Sequence, residues 1–166
     1  MNLETNIYIY ISIQMMNTMY KKTNNDDSDE EESTNETITV ERNKVMFGQV
    51  GRSYVYFTYG MHYCLNVVAK KEEDESGAIL IRSIQPQQGI KIMIKNRKTN
   101  VVSNLTNGPG KLTQAMQITT KQYNVDLTRN STLFISDGIK PTKILAKPRI
   151  GIKVGIDKLW NFSFKI

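Results

Sequence analysis

"YVYFTYGMHYCLN", Tyr54 to Asn66, places four tyrosines and a phenylalanine within thirteen residues of a chain that is only 8% aromatic. Its reading decides the fold. "SYVYFTY" has the composition of a strand and ends at the turn residue Gly60, while "LNVVA" resumes as a strand beyond it. The pair is expected to form a β-hairpin. A single buried strand does not need so many amphipathic rings, so the ends of this hairpin are candidates for contact with something outside the protein.

Working outward, "KKEEDESG" reads as a charged loop and "AILIRSI" as a buried strand with one arginine, Arg82. Behind Pro86, Ile90, Met93 and Ile94 fall at helical spacing. After the breaker "NGPG", Leu112, Ala115 and Met116 share one face of a second helix. "STLFISDG" reads as a strand running into a turn, and "RIGIKVGI" as another alternating strand. At the front, "NIYIYISIQ" alternates Ile7, Ile9, Ile11 and Ile13 with polar or aromatic residues, the period of a half-buried strand. Glu4 precedes it and no basic region or cleavage site accompanies it, so it is not read as a signal peptide, and it is too short to span a membrane. Strands outnumber helices and do not alternate with them, which implies an α+β domain with a largely antiparallel sheet.

The division along the chain follows composition. Residues 1–15 hold the first strand, 38–166 the compact core, and 16–37 a polar segment with too little apolar surface to order itself, read as a disordered insertion. Within it, "DDSDEEESTNE" (Asp26 to Glu36) carries seven acids and no cation, so a chain of net charge +6 carries +13 on the remainder. Such a basic excess makes a polyanion the natural partner. The length of 166 residues fits one domain with a real core. One cysteine, Cys64, excludes a disulfide framework and fits a reducing compartment; with His62 as the sole histidine, a zinc site is not expected.

Generic catalytic motifs fail. "NGPGKLT" lacks the glycine of a phosphate loop where Leu105 stands, and its threonine does not follow the lysine directly. No GxGxxG follows a strand, and nothing around His62 marks a nucleophile elbow.

The blocks "RNKVMFGQVGRSYVYFTYGMHYCLNVV", "GAILIRSIQPQQG", "NGPGKLTQAMQI", "RIGI" and "LWNF" occur in the order and spacing of one family. The chain resembles the 3-methyladenine (alkylpurine) DNA glycosylases from about Arg42 to Phe162. The resemblance implies a single domain with a curved, largely antiparallel sheet, a protruding β-hairpin and a few packed helices. It further implies a monofunctional N-glycosylase of base-excision repair, without metal or cofactor, that flips alkylated or deaminated purines out of double-stranded DNA. Such a protein would be a monomer without membrane contact, with the nucleus the favoured location and the cytoplasm the alternative in a prokaryote.

Residue by residue, Tyr59 matches the family's intercalating tyrosine, with Met61 and His62 beside it in the minor groove. Tyr56 matches a wall against which the flipped base stacks, and Tyr8 the second pocket aromatic. Asn66 matches the residue that crowds the exocyclic amine of normal guanine, and Arg82 an arginine lining the site near the damaged nucleotide. Asn107, Gly108 and Lys111, on a glycine-rich turn opening a helix, suit phosphate. Tyr54 and Phe57 are read as packing residues.

The catalytic position departs from the pattern. The family places its general base, a glutamate, in an E-T-E-A-Y strand; here "ETNIY" puts Asn6 at that position. Asparagine cannot take a proton from water. The acidic insertion stands where relatives carry a histidine-bearing loop, the front of the domain is expected to be truncated, and Asn161 replaces an arginine in "LWNF". The resemblance thus leaves open a second reading, an impaired relative or incomplete gene product that binds damaged DNA without cleaving it.

Overall fold

The computed structural model describes residues 12–16, 43–138, 140–151 and 157–164. Six strands form one sheet: β1 (Ser12–Met16), β2 (Ser53–Thr58), β3 (His62–Val68), β4 (Ala78–Ser83), β5 (Ile144–Lys147) and β6 (Asn161–Phe164). Their spatial order is β2-β3-β4-β1-β6-β5, and every pairing is antiparallel. The first strand in sequence therefore sits in the middle of the sheet. Two helices, α1 (Ile90–Arg97) and α2 (Pro109–Met116), complete a single-domain α+β fold, as expected.

The hairpin β2–β3 forms because Val55, Leu65 and Val68 bury apolar side chains at strand spacing while its register pairs Thr58 with His62 across a tight turn. Opposite residues of an antiparallel pair share a face, so the register fixes two faces. One face carries Val55, Leu65 and Ile81, which pack on Leu112 of α2 and on Ile118. The other carries Tyr54, Val68 and Ala78, covered in part by Val45 and Met46 from a 3-10 turn at Lys44–Phe47.

Both helices begin at glycines. Gly89 precedes α1 with φ 70°, a left-handed conformation that glycine takes without steric penalty. Pro109 opens α2 at a first-turn position where its missing N–H costs nothing. Met93 of α1 packs on Leu105 and Ala115, and Asn96 Nδ2 donates to the Ala115 carbonyl at 2.8 Å, so the two helices form one layer.

One expectation changes. "STLFISDG" is not a strand: Leu133 reaches the core cluster and Ile135 N–H donates to the Leu127 carbonyl at 2.8 Å, but none of the described strands pairs with it. Strands β5 and β6 arise instead from "ILAK" and "NFSF". Of "RIGIKVGI", residues 152–156 lie outside the described residues, as do residues 1–11 of the first strand and residues 17–42, which hold nearly all of the acidic insertion. Among the described residues no helix is long and apolar enough to cross a membrane.

Candidate nucleic-acid interface

The hairpin tip is built from two consecutive left-handed residues, Tyr59 at φ 52° and Gly60 at φ 64°, with Met61 N–H donating back to the Thr58 carbonyl at 3.2 Å. Positive φ at both central positions is the requirement of a type I′ hairpin turn, for which Asn-Gly is the favoured pair. A tyrosine there costs roughly 1–2 kcal/mol in contacts between its Cβ and the backbone. Nor does its ring repay that cost by packing, since Tyr59 is 87% exposed. Met61 beside it is 68% exposed, and His62 is exposed as well. Three neighbouring side chains thus project from a strained turn.

Behind the tip, register collects a row of side chains on one sheet face. Tyr56 lies opposite Cys64, and continuing the pairing of Asn66 with Leu80 puts Arg82 opposite Cys64 on its other side. Tyr54 lies opposite Asn66 one step along. Tyr56 is half-buried, its ring 5.2 Å from that of Tyr54 and tilted by 33°. The Tyr54 hydroxyl donates to Asn43 Oδ1 at 2.6 Å, which agrees with a packing role. Phe57 packs on Tyr63 at 4.9 Å but is 45% exposed, so it is only partly a packing residue.

Asn66 is fully buried, and its Nδ2 donates to the Tyr54 carbonyl at 2.9 Å. That bond fixes which end of the amide is oxygen. The oxygen, Oδ1, is buried without a hydrogen-bond partner, a condition worth about 1–3 kcal/mol and uncommon enough to call for a reason. The buried Cys64 thiol has its pKa raised by burial, with a hydrogen bond from Tyr56 and the charge of Arg82 drawing it partly back. A raised thiol pKa stabilises the fold fully below the unfolded value near 9.0, and that stability is lost as pH rises through the folded value. We expect Cys64 to resist iodoacetamide at pH 8 until the protein unfolds. Equal labelling rates for folded and unfolded chain would mean that solvent reaches the row.

The start of α2 is locked to the hairpin arm. A Cβ on Gly110 would lie 2.9 Å from His62 Cγ and 3.0 Å from its Cβ, so only glycine allows the approach. Thr113 Oγ1 donates to the Tyr63 carbonyl at 2.9 Å, and the Lys111 ammonium donates to Asn107 Oδ1 at 2.8 Å. Gly110, between Gly108 and Lys111, therefore stands against His62 next to the exposed tip. An open cleft of about 490 Å³ between Lys44, Arg52 and Tyr123 is lined by none of the residues singled out from sequence.

The sequence-predicted residues thus fall into two groups held by one hairpin. Tyr56, Asn66 and Arg82 share the sheet face; Tyr59, Met61 and His62 lie at the tip, and the turn holding Asn107, Gly108 and Lys111 is tied to it by the approach of Gly110 to His62. Asn6 and Tyr8 lie outside the described residues. Cys64 was read from sequence only as ruling out metal and disulfide chemistry, although its place opposite Tyr56 follows from counting back from Gly60.

A sequence model of the Methylpurine-DNA glycosylase family matches residues 20–165. This chain belongs to that family. It is 50% identical over 122 residues to a protein of Prosthecochloris aestuarii, 43% over 126 to one of Carboxydothermus hydrogenoformans and 41% over 128 to one of Francisella tularensis. All three are named as 3-methyladenine DNA glycosylases. The matches take in 72–75% of this chain and 58%, 65% and 66% of those relatives, so it spans about three-fifths of the length of the glycosylases it matches. The family assignment bears out the resemblance. Relatives of the methylpurine-DNA glycosylase type found here are mostly bacterial, which fits the cytoplasmic alternative and lends no support to the nucleus.

Proposed function

We propose that the chain is a monomeric DNA N-glycosylase of base-excision repair that captures alkylated or deaminated purines by flipping them from the duplex. One observation carries this reading: a tyrosine, 87% exposed, held at φ 52° on the tip of a rigid hairpin. Stability alone would choose asparagine there. Extruding a base costs a few kcal/mol in lost stacking, and a flat apolar ring inserted into the gap offsets part of that cost.

The face behind the tip supports the second half of the reading. Purines methylated at N3 or N7 are cationic, and the half-buried Tyr56 ring attracts such a base by about 0.5–2 kcal/mol beyond its stacking. Asn66, immobilised by Tyr54, suits the steric rejection of a normal guanine amine. The cations of the basic core, Lys111 among them, suit the phosphates on either side.

In the chemical step water oxygen bonds to the sugar C1′ as the C1′–N9 bond breaks and its electron pair leaves with the purine. A cationic methylated base departs neutral, whereas hypoxanthine needs a proton. The water must also lose a proton; by the motif resemblance alone Asn6, ahead of the residues that the family model matches, takes the place of the family's glutamate, and an amide does not accept that proton.

Two substitutions test the wedge. Tyr59→Ala is expected to weaken binding to a lesion-bearing duplex about tenfold or more and binding to plain duplex far less, since only the former needs the flipped state. Tyr59→Asn is expected to lose the same discrimination while raising stability by about 1 kcal/mol, because the turn then carries its preferred residue. Equal losses on both duplexes would mean that Tyr59 does not act on the flipped state and would remove the support for this reading.

A further inference from the structure

Resting on the reading above, we propose that Gly110 and Thr113 of α2 are positioning residues for the wedge: they clamp the outer half of the hairpin so that Tyr59 meets the duplex at a fixed angle.

Strand pairing alone leaves that half of the hairpin without support. β4 pairs with β3 only from Asn66 to Val68. From His62 to Leu65 the hairpin is a two-stranded ribbon, about 13 Å long at about 3.4 Å per residue. A ribbon of this kind keeps its shape in water only when a third strand or a helix packs on it. The Tyr59 side chain adds nothing to its support, being 87% exposed.

Helix α2 takes the place of the missing strand. Val68 N–H donates to the Arg52 carbonyl at 2.8 Å, and bonding direction alternates along an antiparallel pair. The carbonyls of Tyr63, Leu65 and Val67 therefore point away from β2. At Tyr63, where pairing with β4 has stopped, the carbonyl accepts from Thr113 Oγ1 at 2.9 Å, and Thr113 is only 2% exposed. Nearer the tip, Gly110 lets the helix backbone close on His62. A Cβ there would lie 2.9 Å from His62 Cγ and 3.0 Å from His62 Cβ. Carbon atoms rest about 3.5–4.0 Å apart, so an added methyl group displaces the hairpin arm by roughly 0.5–1 Å. Rotating the imidazole does not avoid this, because the His62 Cβ moves only with its backbone. Both contacts could instead serve merely to dock α2 on the sheet. Leu112, fully buried in one cluster with Val55 and Leu65, already does that.

The test uses a duplex carrying ethenoadenine with 2-aminopurine as its neighbour, a base that fluoresces more strongly when its stacking is lost. At saturating protein, Gly110→Ala and Thr113→Val should both lower the 2-aminopurine signal. Their preference for lesion over plain duplex should fall about threefold to tenfold, the range of one lost hydrogen bond, with plain-duplex binding within about twofold of the parent. Thr113→Ser, which keeps the hydroxyl, should hold the parent's values. A purely structural role would lower the melting temperature and, well below it, move neither readout. Unchanged preference and signal in Gly110→Ala overturn the clamp even if Thr113→Val does not fold, since alanine favours the helix over glycine. Equal losses in Thr113→Ser and Thr113→Val overturn the role of the hydroxyl, and equal weakening on both duplexes overturns the clamp as a whole. Tyr59→Ala separates the two readings. Where it abolishes a preference that Gly110→Ala retains, the proposed function stands without the clamp; a parent with no preference overturns both.

Discussion

Asn6→Glu is expected to raise single-turnover release of hypoxanthine or ethenoadenine by about 10²–10⁴-fold, the range of a well-placed general base. A carboxylate accepts the proton that the attacking water must shed; the amide of Asn6 can only hydrogen-bond to that water. The substitution leaves Tyr56 and Tyr59 in place, so lesion binding should change little. The comparison belongs at saturating protein, where rates report chemistry rather than affinity. Robust release by the parent would show that another carboxylate serves as base and that "ETNIY" is matched wrongly. No release by either protein, with lesion capture intact, would leave capture without cleavage as the activity of this chain.

The second large effect concerns Asn66→Asp, where a fold measurement reports on the site. The amide donates to the Tyr54 carbonyl from a fully buried position. A carboxylate there has no hydrogen to give and must shed its hydration, so we expect a loss of roughly 3 kcal/mol or more at pH 7. The sign of the pH dependence follows. Burial would raise the folded pKa of the new acid, so its neutral form, which can donate to Tyr54, sustains the fold below the unfolded value of about 4. The deficit relative to the parent should shrink on acidification through that range and grow above it. Thermal melts at pH 3.5 and pH 7 check this. An equal deficit at both values would mean that water reaches Asn66 and that the face is open rather than dry.

Much of this was legible beforehand. The hairpin follows from tyrosine- and valine-rich runs around Gly60, and the helices from apolar spacing behind Pro86 and Gly108. Strands β5 and β6 were not legible, because Ile144, Ala146 and Lys147 are exposed and their side chains record no buried face. The run Leu133-Phe134-Ile135 misled in the opposite direction: it is apolar enough for a strand, but backbone pairing depends on a neighbour that local composition cannot reveal. Within the site, the roles of Tyr56, Tyr59 and Asn66 came from resemblance. The left-handed backbone of Tyr59 did not, since Tyr-Gly is not a pair that signals a type I′ turn. The unpartnered Asn66 oxygen needed coordinates, because an amide's satisfaction depends on atoms from other strands.

The central place of β1 bears on how the chain folds in time. Its partners are β4, which ends at Ser83, and β6, which begins at Asn161, so its second pairing must wait for a strand far along the chain. Contacts between such distant residues pay their loop-closure entropy before they gain anything, and chains dominated by them fold slowly. The β2–β3 hairpin and the two helices join near neighbours and can form while synthesis continues. Until β6 arrives, β1 is a half-paired edge within a growing sheet, open to strands of other nascent chains. The exposed Tyr59 tip and the sheet face behind it thus belong to the part of the molecule that can assemble early, while the halves of the sheet are joined only once β6 has been made.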